Sequence, residues 1–216
     1  MNIYEMLNIE ALKTLSLGKL EILEESFFTR SNLLLICEEL LGKVLLTNKT
    51  EGLSGGLISE VEAYFGSVDL ASHAYKNKRT KRNEPLFKSG GILYIHTCHG
   101  HTMLNVVTNR ENIPQGILIR GIIPLIGIDL MKQRRGSVKE VDLANGPGKL
   151  TKALGITMYY NTKKVYRDTT DNYMSEICIA NIGIKLEQCM IEKTPRIGID
   201  YAKQWLNQPL RFSLLI

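Results

Sequence analysis

The sequence predicts an α+β fold: a single compact domain, residues 1–216, with a curved, mainly antiparallel β-sheet and flanking helices. Three observations lead there. Short β-rich runs follow one another between residues 43 and 122, separated by Gly, Asn and Pro at hairpin-like distances. Helix signals are few and do not alternate regularly with the strands, which disfavours a doubly wound sheet. A chain of 216 residues with 44% hydrophobic and 23% charged content can bury a sizeable core, and no Gly/Ser/Pro-rich linker divides it.

The first helix is expected over Leu33 to Leu41, capped by Ser31 or Asn32 and stopped by Gly42, and Lys43 to Thr47 then reads as a strand. In the next strand, Gly56 to Phe65, Leu57, Val61, Ala63 and Phe65 form an apolar face, while Glu60, Glu62 and Tyr64 project from the other. Gly66 and Asp69 turn the chain so that His73 folds back toward them. Ile92 to Thr97 and Leu104 to Thr108 suit a hairpin with His99-Gly100-His101 at its tip, and Gly116 to Ile122 adds a further strand. Gly127 opens a helix over Ile128 to Arg134, and Pro147 suits the first turn of another that ends at Gly155. Ser175 to Ala180 and Gly183 to Leu186 suggest a late hairpin before the closing RFSLLI.

The net charge of +5 suggests an anionic partner, and its distribution matters more than its size. Lys76, Lys78, Arg79, Lys81 and Arg82 crowd into seven residues just after His73, suitable material for gripping phosphates. Apolar runs are too short to cross a bilayer, and the start, MNIYEMLNIEALKTL, lacks the pattern of a secretion signal. Cys37, Cys98, Cys178 and Cys189 form no CxxC pair, which points to free thiols in a reducing compartment. A cytoplasmic protein is expected, nucleoid-associated if bacterial.

Glu62, Tyr64 and His73 bring a carboxylate, a phenol and an imidazole toward one pocket, although a glutamate on a polar strand face is more often simply solvated. His96, His99 and His101 surround Cys98, but their spacing matches no zinc pattern, so no metal or other cofactor is expected. Asn105 and Arg120 fall on strands expected to pair near Glu62. The segment LANGPGKLTKALGI is not a phosphate-binding loop of nucleotide hydrolases, because Lys149 is followed by Leu150. The backbone amides from Gly146 to Gly148, with Lys149, suit a single phosphate instead.

In order, EVEAYFG, SH, RTKRNEPLF, GGILYIHTCHGHTMLN, GILIRGIIPLIG, LANGPGKLTKALGI, TPRIGIDYA and PLRF resemble the alkyladenine (3-methyladenine) DNA glycosylase family. The resemblance runs from about Leu33 to Phe212. It implies a protruding β-hairpin that enters the DNA minor groove, and a base-excision repair enzyme that flips alkylated or deaminated purines out of double-stranded DNA. Glu62 matches the general base that activates water, and Arg120 the arginine that helps hold that water. Tyr64 and His73 match aromatic walls of the base pocket, Leu118 an apolar lining residue, and Asn105 the asparagine that disfavours unmodified guanine. The chain departs from the family at two tyrosine positions: His96 stands at the stacking one and His99 at the one that intercalates. Lys78, Arg79 and Arg82 are expected on the DNA backbone. No lysine is placed for Schiff-base chemistry, so a monofunctional, monomeric glycosylase that leaves an abasic site is expected. The two histidines also motivate an alternative, a lesion-binding protein that has lost excision.

Overall fold

A computed structural model describes residues 20–136, 138–167, 175–184 and 186–215. Its described strands are β1 (Glu21–Ile22), β2 (Val44–Lys49), β3 (Gly52–Tyr64), β4 (Leu93–Cys98), β5 (His101–Thr108), β6 (Gln115–Ile126), β7 (Ile177–Asn181), β8 (Ile191–Thr194) and β9 (Arg211–Leu214). They form one sheet in the order β1-β7-β2-β3-β6-β5-β4, with β9 paired to β3 and β8 to β9. The described α-helices are α1 (Glu25–Phe28), α2 (Leu33–Leu40), α3 (Ile128–Arg135) and α4 (Pro147–Ala153). The expected α+β class and the antiparallel sheet are both present.

β3 organises the molecule. One of its edges pairs with β6 from Gly55 to Tyr64, while the other is shared, its first half with β2 and Glu60 to Glu62 with β9. Leu57, Ile58, Val61 and Ala63 bury themselves in the main core with Leu93, Ile95, Leu104, Val106, Ile117 and Ile119. Helix α2 adds Leu33, Ile36, Cys37 and Leu40, the spacing of one helix face. Its cap is Asn32, whose side chain accepts the Leu35 N–H at 3.1 Å, and Gly42 beyond its end adopts φ +79°.

The late hairpin is a correction. Ile177–Asn181 is a strand, but it pairs with β1 and β2, and the described residues of Gly183 to Leu186 form no strand. Ile177, Cys178, Ile179 and Ala180 are all buried, so this run behaves as an interior strand and not as one arm of a surface hairpin. Among the described residues no helix is long and apolar enough to cross a membrane.

Candidate active site

Cross-strand register builds the site. Glu62 lies opposite Leu118, Leu118 opposite Asn105, and Asn105 opposite Tyr94, so four neighbouring strands present one row of side chains on one face. Tyr64, His96 and Met103 belong to the same face, being two residues along from members of that row. Together they floor a cavity of about 310 Å³. Its walls come from Ser72 and His73 after β3, Pro114 before β6, Pro147 at α4, and Ile197 to Ile199 with Tyr201. Glu62, Arg120, Tyr64, His73, His96, Asn105, Leu118 and His99 all line it, which brings together the eight pocket and hairpin residues expected from sequence.

Two opposed bulges deliver the arginine. Between Ile58 and Val61 the ladder skips Ser59 on β3 and then Arg120 on β6, leaving each without a cross-strand partner. Such a bulge re-aims a side chain. Arg120 donates through Nε to Glu60 Oε1 at 3.0 Å and places Nη1 at 3.3 Å from Glu62 Oε1. Glu60 is also held by Arg211 Nη1 at 2.9 Å, so it is neutralised from two sides.

The Glu62 side chain is fully buried, yet each carboxylate oxygen has a donor. Tyr64 donates its hydroxyl to Oε2 at 2.9 Å, and the Ile197 amide donates to Oε1 at 2.8 Å. Burial pushes the carboxyl above its ordinary range, opposed by Arg120, the Ile197 amide and Tyr64. Burial and the Glu62 charge push the Tyr64 phenol well up, so it stays a donor. The arrangement is a strongly held carboxylate in a desolvated pocket, more basic than a surface glutamate.

Opposite Glu62 stands a ring cluster. His73 Nδ1 lies 2.7 Å from the Tyr94 hydroxyl, Tyr94 stacks on His96 with centroids 5.0 Å apart, and His73 meets His96 at 4.7 Å in a T-shape. Burial, reinforced by His73 and Arg82, lowers the His96 imidazole to about 3, and burial with Arg82 lowers His73. Both rings are therefore neutral at pH 7.

At the hairpin tip His99 is exposed and adopts φ 47°, followed by Gly100 at φ 76°. Lys78, Arg79 and Arg82 are exposed in the loop beside the cavity. Arg82 donates to the Thr97 carbonyl at 3.1 Å, whereas Arg79 is engaged by Glu84 at 2.8 and 2.6 Å. Buried Asn83 fixes this loop by donating to the His73 and Lys78 carbonyls at 2.8 and 2.7 Å. Gly146, Gly148 and Lys149 line a separate hollow with Gly100 and His101, where Lys149 donates to Asn145 Oδ1 at 2.8 Å. Among the described residues no three His, Cys, Asp or Glu side chains converge as a metal-ligand set.

Three participants escaped the sequence reading. Tyr94 could have been found from its place two residues before His96 on one strand face. Arg196 lies in the quoted TPRIGIDYA segment, but its role depends on a contact 127 residues away: a bidentate pair with Asp69 at 2.6 and 2.9 Å, both side chains fully buried. Its guanidinium also covers the Tyr64 ring at 4.6 Å. Ile197 acts through its backbone amide, for which side-chain identity carries no signal.

Comparison with known proteins supplies the family. The family model described as Methylpurine-DNA glycosylase (MPG) matches residues 26–215. A protein of Chlamydia abortus is 41% identical over 199 residues, 90% of this chain and 99% of that protein. One from Oceanobacillus iheyensis is 46% identical over 190 residues, 88% and 90% of the two chains, and one from Bacillus subtilis is 38% identical over 190, 86% and 89%. All three carry the description "Putative 3-methyladenine DNA glycosylase". With a match that spans nearly the whole described fold and the cavity residues within it, the chain belongs to the methylpurine-DNA glycosylase family, DNA-repair enzymes that hydrolyse N-glycosyl bonds.

Proposed function

We propose that this glycosylase, acting as a monomer, flips 3-methyladenine, 7-methylguanine, hypoxanthine and ethenoadenine out of duplex DNA into the cavity beside Glu62, and leaves an abasic site. The observation that carries the proposal is the buried Glu62 carboxylate, held by Arg120, Tyr64 and the Ile197 amide against a cavity lined by aromatic rings. Glu62 aims and deprotonates a water while its charge steadies the sugar cation that develops as the bond breaks. A purine methylated at N3 or N7 is already cationic and leaves without a strong acid, so one carboxylate suffices where sugar hydrolases need two. Glu60 fits this account as a structural anion, tied to Arg120 and Arg211 and outside the cavity lining. Leu118 and Asn105 lie under the incoming base, with Tyr64, His73 and His96 as its walls.

His99 at the exposed tip is the wedge that fills the space left by the extruded nucleotide. Lys78 and Arg82, with Arg79, the Gly146 and Gly148 amides and Lys149, hold the backbone on either side. Release of 3-methyladenine from alkylated duplex DNA tests the mechanism: Glu62→Gln is expected to lower turnover at least about a hundredfold. Unchanged turnover removes the mechanism, and tight lesion binding by the wild type without any base release favours the lesion-binding alternative instead.

A further inference from the structure

The Asn105 side chain fixes the chemistry of its neighbour. Its Nδ2 lies 3.2 Å from the Tyr94 carbonyl oxygen, which can only accept, so the amide is oriented with its NH2 there. The same NH2 lies 3.3 Å from His96 Nδ1. A donor facing that nitrogen requires a lone pair on it, so the neutral ring carries its proton on Nε2. Protonating Nδ1 would set two donors against each other, which agrees with an imidazole lowered to about 3. Among the described residues the His96 side chain has no hydrogen bond besides the one to Asn105, which leaves Nε2–H without a protein acceptor in a cavity-lining ring. The ring is already held by stacking on Tyr94 and by the T-shaped contact with His73, so it does not depend on a ligand for its orientation.

Given a cavity that receives a purine, we infer that His96 is a specificity-determining residue whose Nε2–H reads an acceptor on the edge of a neutral purine lesion. An N–H donor presents the positive end of its dipole. A neutral purine offers ring-nitrogen and carbonyl lone pairs to it, whereas a purine cation is a poorer acceptor and is repelled. A tyrosine at this position carries a hydroxyl that rotates to donate or accept; His96, with Nδ1 occupied by Asn105, can only donate. The chain is thereby tilted toward deaminated bases such as hypoxanthine, relative to a pocket with a plain aromatic wall.

The experiment compares wild type with His96→Phe, which keeps the stacking ring and removes the donor. Single-turnover excision is measured on matched duplexes that carry either hypoxanthine or 7-methylguanine. The ratio of the hypoxanthine rate to the 7-methylguanine rate is expected to fall about tenfold, the loss of one hydrogen bond. In parallel, 15N-histidine NMR of the wild type is expected to find His96 neutral and protonated on Nε2 at pH 7. A ratio unchanged within about twofold overturns the inference. So does an Nδ1–H tautomer, or a wild type that releases 7-methylguanine but no hypoxanthine. A wild type inert on both lesions fails the glycosylase reading separately, and the NMR tautomer then decides for His96 alone.

Discussion

Glu62 and His96 lie on one sheet face, and burial moves their proton affinities in opposite senses, each toward the neutral form. For stability the consequences are opposite too. Glu62 binds its proton more tightly folded than unfolded, so its ionised form costs stability as pH rises through its folded value, and acidification relieves that cost. His96 titrates at about 3 when folded against an ordinary 6.5, so the unfolded chain takes up that proton first. The stability contributed by neutral His96 is present above about 6.5 and is lost as pH falls from there toward about 3. Neighbouring His73 is lowered in the same direction. Between pH 7 and pH 5 the thermal midpoint of the wild type is therefore expected to drop more steeply than that of His96→Phe, with Glu62 common to both. Parallel profiles by calorimetry would show that His96 is not the group responsible. At this scale Glu62, Tyr64 and His73 were legible because strand alternation and one turn bring them together. Arg196 and the Ile197 amide were not, because a partner 127 residues distant in the chain, or a backbone group, leaves no local pattern.

Strands and turns carry the next level of the design. The paired bulges at Ser59 and Arg120 convert a regular ladder into one that aims an arginine at two glutamates. Alternation located β3 in the sequence but could not reveal the bulges, since they depend on the register against β6. The hairpin tip was legible to within one residue: Cys98 pairs with His101, so His101, expected in the tip, belongs to β5 and His99-Gly100 forms a two-residue turn. Both of these residues have positive φ, the requirement of a type I′ turn, for which Asn-Gly is far better suited than His-Gly. Backbone preference alone does not account for histidine there. His99→Asn is expected to leave the fold intact, with a gain of about 0.5 kcal/mol or less, while weakening extrusion of the lesion. Fluorescence of a 2-aminopurine placed beside the lesion reads that step. Undiminished extrusion by the variant removes His99 as the wedge.

At the scale of the whole molecule, the +5 charge matters through its position. The basic loop flanks the cavity on one side, and the hollow with Arg135, Lys149 and Lys152 lies near the hairpin turn. The cluster was visible in sequence; which of its members are already occupied was not. Lys78 and Arg82 remain available to phosphates in a way that Arg79, bound through two nitrogens to Glu84, does not. Replacing Lys78 or Arg82 by Ala is expected to weaken binding to every DNA sequence alike and to flatten the slope of log K against log salt by about one unit. Arg79→Ala is expected to change it less. Titrations over a range of ionic strength check this, and slopes unaltered in all three variants would make the loop a solvated surface.

The Asp69–Arg196 pair also makes the pocket depend on two segments far apart in the chain. Most of the cavity floor, from Glu62 to Arg120, is synthesised well before residue 196, yet until that arginine arrives Asp69 has no counter-ion and Glu62 lacks the amide beside it. Burying an uncompensated carboxylate is costly, so the pocket closes at little cost only with that later segment in place. The carboxylate side of the cavity is completed only when residues 196 and 197 fold back onto β3, so a cut in the chain between Asp69 and that segment is expected to open the pocket while most of the sheet stays paired.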